Sequence, residues 1–196
     1  MEEVNTLILY IIVFFISIIF TQISSKMKKK NDKIVVLLLS MFPLWFINVF
    51  RASSVGTDYI QVGKHFTEIS NNTVFLNSES YNWFWLPLRI FCRGIGTCFS
   101  SEPFWFYLVC GTLIIVFLYK NIRENSEYGS MFLMLYIAFG FYLQSFNQTR
   151  QILALTIVLY AVKYVKEQKI FKYITLILFA SIFHESALIF IPLYFV

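Results

Sequence analysis

The feature that most constrains this chain is a run without a single charge from Val4 to Ser25, rich in Ile, Phe and Leu. At about 1.5 Å per residue, a helix of that length crosses a hydrocarbon core about 30 Å thick. Lipid offers a backbone no hydrogen-bond partner, so the run must close its own bonds as a helix. Lys26-Met27-Lys28-Lys29-Lys30-Asn31-Asp32-Lys33 follows at once. Short lysine-rich loops stay in the cytoplasm, which predicts an N-terminus on the outer side. Glu2 and Glu3 precede the run and no small-residue cleavage site follows it, so it reads as a retained first helix and not as a signal peptide.

The same alternation continues along the chain. Ile34 to Phe50 is the second helix, running outward to Arg51. A polar stretch with Asp58, Lys64, Glu68, Asn71 and Glu79 follows, then an apolar, aromatic segment from Tyr81 to Ile95 interrupted by Pro87, Arg89, Arg93 and Gly94. This segment reads as a helix in the interface or re-entering the membrane, with Trp83 and Trp85 at headgroup level. Residues 51–102 then form an outer loop containing that helix. A spanning helix is the competing reading, and it would invert everything downstream.

Pro103 to Tyr119 returns inward, and Tyr128 to Phe146 crosses outward as one helix. Asn147 is placed to cap a fifth helix that ends among Lys163, Lys166, Lys169 and Lys172. A sixth starts near Phe171 and reaches His184-Glu185-Ser186, before a last apolar run from Ala187 to Val196 that contains Pro192. The expected architecture is all-α, a polytopic transmembrane protein with about six to seven membrane segments plus the outer helix. Residues 1–196 would form one transmembrane domain. The final run stops inside apolar sequence, which reads as a truncated product or a fragment.

Composition supports a membrane protein. The chain is 58% hydrophobic and 14% charged, where a soluble domain carries about 25% charged residues. The net charge of +5 does not point to nucleic acid, because most lysines sit in short loops beside apolar runs. On this topology ten of the eleven lysines fall inside with Arg123, while Arg51, Arg89, Arg93 and Arg150 fall outside with Lys64. Cys92 and Cys98 could bridge in an outer loop, but with Cys110 they read better as unpaired small apolar residues. No Cys/His spacing suggests a metal.

The outer set carries the chemistry. Phe146-Asn147-Gln148-Thr149-Arg150-Gln151 sets an arginine between apolar runs. Arg51, Asp58, Glu79, Arg150, His184 and Glu185 reach the same face from separate parts of the chain. Guanidinium groups suit bidentate phosphate binding, and carboxylate or imidazole suits proton transfer, a combination fit for group transfer from a phosphorylated donor. Blander roles stand beside these: Arg51 and Asp58 pairing across Val55-Gly56-Thr57, His184 as a helix cap, Arg89 and Arg93 as headgroup contacts, and Asn147 and Gln148 as caps or hydroxyl binders.

Arg51 with Val55-Gly56-Thr57-Asp58-Tyr59, then Phe146-Asn147 with Arg150-Gln151 and Ala154, then Phe183-His184 with Ser186-Ala187-Leu188 and Pro192, resembles the EpsG family of Wzy-like polysaccharide polymerases. Ile60, Gln61 and Val62 stand where that family tends to have a further tyrosine. The resemblance implies a membrane glycosyltransferase that joins lipid-linked oligosaccharide units into exopolysaccharide or capsule. It implies a polyprenyl-pyrophosphate-linked donor, and membrane lipid and other polysaccharide-assembly proteins as partners, with no cofactor. The chemistry of that reaction, applied to the outer set, assigns Asp58, Arg150 and His184 to catalysis, and Arg51, Arg150, Asn147, Gln151 and Glu79 to the pyrophosphate and glycan. A flippase component for lipid-linked sugars is the rival from another class, and an inactive remnant of the polymerase is the third reading.

Overall fold

The computed structural model describes residues 2–52, 54–56, 58–71, 86–124 and 127–195, and of residues 2–4, 58 and 86 only the backbone. It is 85% helical and, among the described residues, has no strand. In chain order the helices are α1 (Glu2–Lys26), α2 (Lys30–Val49), α3 (Asp58–Ser70), α4 (Leu86–Cys98), α5 (Pro103–Glu124), α6 (Gly129–Ala138), α7 (Phe141–Gln144), α8 (Thr149–Lys166) and α9 (Ile170–Phe183). A 3-10 segment, Glu185–Phe195, follows. By length and composition α1 from Asn5, α2 and α5 can cross a membrane, while α6, α9 and the 3-10 segment are shorter apolar helices.

α1 packs on α2 and α6 but keeps most of its surface bare, with Leu7 60% and Phe15 63% exposed. Such a face suits contact with lipid tails. Ser17, Thr21 and Ser24 turn inward, and the Thr21 and Ser40 hydroxyls bond at 2.7 Å. The densest packing lies around α5, α8 and α9. There Cys110, Ile114, Leu118, Leu153, Ile157, Ala161, Ile177 and Ala180 are fully buried. Small residues at Ala154, Ala161 and Ala180 bring these helices close, as association in a membrane requires.

The helices sort their ends into two groups. At one end Ser24 bonds the Lys33 carbonyl, Ser130 bonds Gln22, and Lys163 meets Glu124 at 2.9 Å. At the other, the Tyr10 and Phe146 rings lie 6.0 Å apart, and Arg51 reaches Phe146 and Thr149. The alternation of runs therefore yields a lysine end and an arginine end. α3 and α4 lie against each other at the arginine end, each through a stripe at helical spacing: Val62, Phe66 and Ile69 on one, Leu88, Cys92 and Ile95 on the other. Gly96 abuts Ser70 so closely that a Cβ would fall 2.3 Å from the serine Cβ. The interfacial segment read from Tyr81 to Ile95 thus appears as α4. Its first residues, with Trp83 and Trp85, lie outside the described residues, and it continues through Gly94 and Gly96 to Cys98.

Two expectations change. The fourth helix is not continuous from Tyr128 to Phe146. It ends at Ala138, Gly140 adopts φ 78°, and the short α7 starts at Phe141. Only glycine takes that backbone without strain. Asn147 does not cap the fifth helix: the chain turns through Gln144 to Asn147, and α8 starts at Thr149 with Gln148 at the cap position and no side-chain cap bond. Cys92 is buried, Cys98 is exposed and both are free thiols, as is Cys110.

Candidate functional site

α2 ends at the residue before Phe50, and the next residue, Arg51, folds back over the helix end. Its Nη1 donates to the Asn48 carbonyl at 3.0 Å, while Nη2 reaches the Phe146 carbonyl at 3.5 Å and the Thr149 hydroxyl at 3.4 Å. Aromatic faces surround it, with Tyr107 at 4.9 Å, Phe146 at 5.1 Å and Tyr59 at 5.7 Å from the guanidinium carbon. The rings of Tyr59 and Tyr107 stack 4.4 Å apart, and the Tyr107 hydroxyl donates to the Tyr59 carbonyl. Burial pulls the Arg51 pKa down from its usual value, and Tyr107 and Tyr59 oppose that pull. Its Nε is buried with no hydrogen-bond partner.

A chain of buried hydroxyls holds this arginine to the start of α8. Asn48 donates through Nδ2 to Ser145 Oγ at 2.6 Å, Ser145 donates to the Tyr142 carbonyl, and Thr149 donates to the Ser145 carbonyl at 2.8 Å. The Tyr142 hydroxyl returns to α2 at the Leu44 carbonyl. After the break at Gly140, Tyr142, Ser145 and Phe146 all meet the end of α2.

The turn before α3 docks on the same place. Gly56 has φ 101°, and a Cβ on it would sit 2.2 Å from the Phe146 carbonyl oxygen and 3.4 Å from Asn147 Oδ1. The glycine is needed for both its backbone and its bareness. It brings Asp58, the first residue of α3, to this end of the molecule.

Beyond Thr149 an open cavity of about 90 Å³ is lined by Val62, Gln148, Thr149, Arg150, Gln151 and His184. His184 follows α9 in an extended conformation, and its Nδ1 lies 2.7 Å from Ser186 Oγ and accepts from the Ser186 backbone N–H at 3.3 Å. An acceptor role at Nδ1 assigns the neutral ring's proton to Nε2. Burial, then the charge of Arg150, lower the His184 pKa, with Glu185 opposing. The lowered pKa favours the neutral ring, which in this tautomer is a hydrogen-bond donor through Nε2.

Of the residues singled out in the sequence, Arg150, Gln151 and His184 meet in this cavity, Arg51 stands behind it through Thr149, and Asn147 is exposed at its edge beside Gly56. Glu185 is exposed at the start of the 3-10 segment. Arg89 and Arg93 lie on α4, which reaches α9 through Phe91 and Phe183 with ring centroids 5.0 Å apart. Glu79 and the Asp58 side chain lie outside the described residues, and with them the pairing of Arg51 with Asp58.

These motif residues fall in three separate stretches, and the EpsG family profile matches residues 34–196, which spans all three. The chain belongs to the EpsG family. That membership marks it as a polysaccharide-related membrane protein. Comparison with curated proteins returns no match, and comparison with solved structures returns none. The EpsG motifs account for Arg51, Arg150 and His184 but not for their supports. Asn48, Ser145 and Thr149 look like ordinary polar residues near helix ends, and only the i to i+4 spacing of Ser145 and Thr149 hints at a shared face. Tyr107, in the middle of an apolar run, carries no such signal.

Proposed function

We propose that this EpsG-family chain takes part in polymerising lipid-linked oligosaccharide units into exopolysaccharide or capsule, with its arginine end on the outer face of the bacterial cytoplasmic membrane. One observation carries the reading: Arg150 and His184, far apart in sequence, line one cavity backed by half-buried Arg51, at the end opposite the lysine loops. The site offers positive charge and N–H donors together, which is what a leaving pyrophosphate needs.

In the reaction an acceptor hydroxyl oxygen bonds to the anomeric carbon of the donor sugar, and the bond from that carbon to the pyrophosphate oxygen breaks. The pyrophosphate leaves on its polyprenyl lipid. Arg150 binds the departing phosphates in bidentate fashion. Arg51 adds positive potential from behind while holding the start of α8 in place. His184 donates through Nε2–H to the developing charge, a role its tautomer favours over that of a base. The acceptor proton goes to a carboxylate, and Asp58 at the start of α3 is the residue assigned. Gln151, Asn147 and Glu79 are assigned to sugar hydroxyls.

Complementation of polymer formation in a strain lacking the gene tests this, with Arg150→Ala and Arg150→Lys expressed at matched membrane levels. Both variants are expected to lose about two to four decades in rate, the equivalent of roughly 3 to 5 kcal/mol, because a point charge cannot reproduce the guanidinium fork. Full polymer from both would remove Arg150 from the reaction. Full polymer from Lys alone would reduce it to a replaceable positive charge.

A further inference from the structure

At the lysine end, away from the site above, α5, α8 and α9 enclose an open groove of about 370 Å³. Lys120 from α5 and Lys172 from α9 stand at its rim, and Tyr160 and Tyr164 from α8 form its floor. The ammonium groups are held over rings: Lys120 lies 5.4 Å from the Tyr160 centroid and 5.0 Å from that of Phe117, and Lys172 lies 5.8 Å from Tyr164. A third lysine, Lys163, sits over both tyrosines at 4.5 and 4.8 Å, but Glu124 neutralises it at 2.9 Å. Glu167 is likewise taken, by Lys169 at 2.7 Å. Among the described residues no carboxylate forms an ion pair with Lys120 or Lys172.

We propose that this groove binds an anionic phospholipid, its phosphodiester between Lys120 and Lys172 and its acyl chains along Phe117, Leu176 and Phe171. Charge complementarity selects the headgroup: two ammonium groups in no ion pair among the described residues, held over aromatic faces, attract a phosphate near the bilayer surface. The apolar walls select a lipid over a free anion. Leu176 and Phe117 continue the groove toward the membrane interior, and Phe171 is 87% exposed, an apolar side chain that water would not favour. Lysine suits this role, because a phosphodiester on a mobile lipid is held by a point charge and needs no bidentate fork. The proposal stands apart from whatever reaction the arginine end performs.

Native mass spectrometry of the purified full chain in a zwitterionic detergent tests it, titrating phosphatidylglycerol against phosphatidylcholine with the same acyl chains. The wild type should retain one phosphatidylglycerol in preference to phosphatidylcholine. Lys120→Gln with Lys172→Gln should weaken that binding by about tenfold or more. The double arginine variant, Lys120→Arg with Lys172→Arg, should keep it, and this separates loss of charge from loss of fold. Lys28→Gln with Lys29→Gln, on the same end but away from the groove, should leave it unchanged. Equal weakening by both glutamine pairs would mean diffuse attraction to a basic surface and would overturn the proposal. So would equal retention of the two lipids by the wild type, or complete displacement of the lipid by millimolar glycerol phosphate, which carries the headgroup chemistry without the chains.

Discussion

The two ends of this bundle use positive charge differently. At the arginine end, Arg51 is half-buried against carbonyl oxygens, a threonine hydroxyl and three aromatic faces, and its position fixes the start of α8. At the lysine end, Lys163 and Lys169 meet glutamates at the surface, while Lys120 and Lys172 lie over tyrosine and phenylalanine rings. A planar, weakly hydrated guanidinium can be desolvated and bonded along several directions at once, whereas a compact ammonium keeps its water. The segregation therefore separates a built polar site from a solvated surface. Substitutions at the first should be felt in fold and reaction, and those at the second should be nearly silent in both, with lipid binding at Lys120 and Lys172 as the property they change.

After Arg150, the largest expected effect lies at His184. If its Nε2–H is what the reaction uses, His184→Gln, whose amide nitrogen falls near Nε2, should retain polymer formation to within about tenfold. His184→Asn should lose about 10² to 10³-fold, the usual cost of removing one donor to developing charge. The reverse ranking, read by complementation, would assign the chemistry to Nδ1. Acid should weaken the same site. The lowered pKa means the unfolded chain binds this proton more readily than the folded one. The neutral ring's full stability is present above the ordinary histidine value of about 6.5 and is lost as pH falls through the folded value. A thermal-unfolding series from pH 7.5 to about pH 5 should show a fall that His184→Gln reduces.

Gly56→Ala should come next, at about 2 to 4 kcal/mol, from a positive φ combined with a Cβ driven into the Phe146 carbonyl. The measurement is the midpoint of detergent-solubilised thermal unfolding, and an unchanged midpoint would mean the turn does not dock on Phe146. Ser145→Ala leaves the buried Asn48 amide without its acceptor and should cost about 1 to 3 kcal/mol in the same assay. A neutral result there would dissolve the buried chain joining α2 to α8. Glu124→Gln at the lysine end should fall within about 1 kcal/mol, since an exposed ion pair contributes no more. A loss as large as that at Ser145 would erase the contrast between the ends.

The helical class and the sorting of basic residues were legible because hydropathy runs and lysine loops are local signals. α1, α2 and α5 appear within a few residues of where those runs place them. The candidate site was legible at Arg150, Gln151 and His184 because each interrupts apolar sequence at a helix end. The fourth helix was misread because Gly140 is a lone residue in an apolar run, and its positive φ leaves no trace in hydropathy. Asn147 was misread for a related reason. Asparagine is a preferred capping residue, but the turn from Gln144 sets the start of α8 so that Gln148 takes the cap position.

By itself the sequence determined that the chain folds as membrane helices with ten of its eleven lysines at one end and four of its five arginines at the other, because burial in lipid and retention of lysine loops act on short stretches. Tertiary structure alone decided which polar groups meet. The tautomer of His184, the burial of Arg51 between Tyr107 and Phe146, and the bare face of Gly56 against Phe146 depend on approach between elements distant in the chain. Close packing and hydrogen-bond direction, which no local pattern encodes, set those distances.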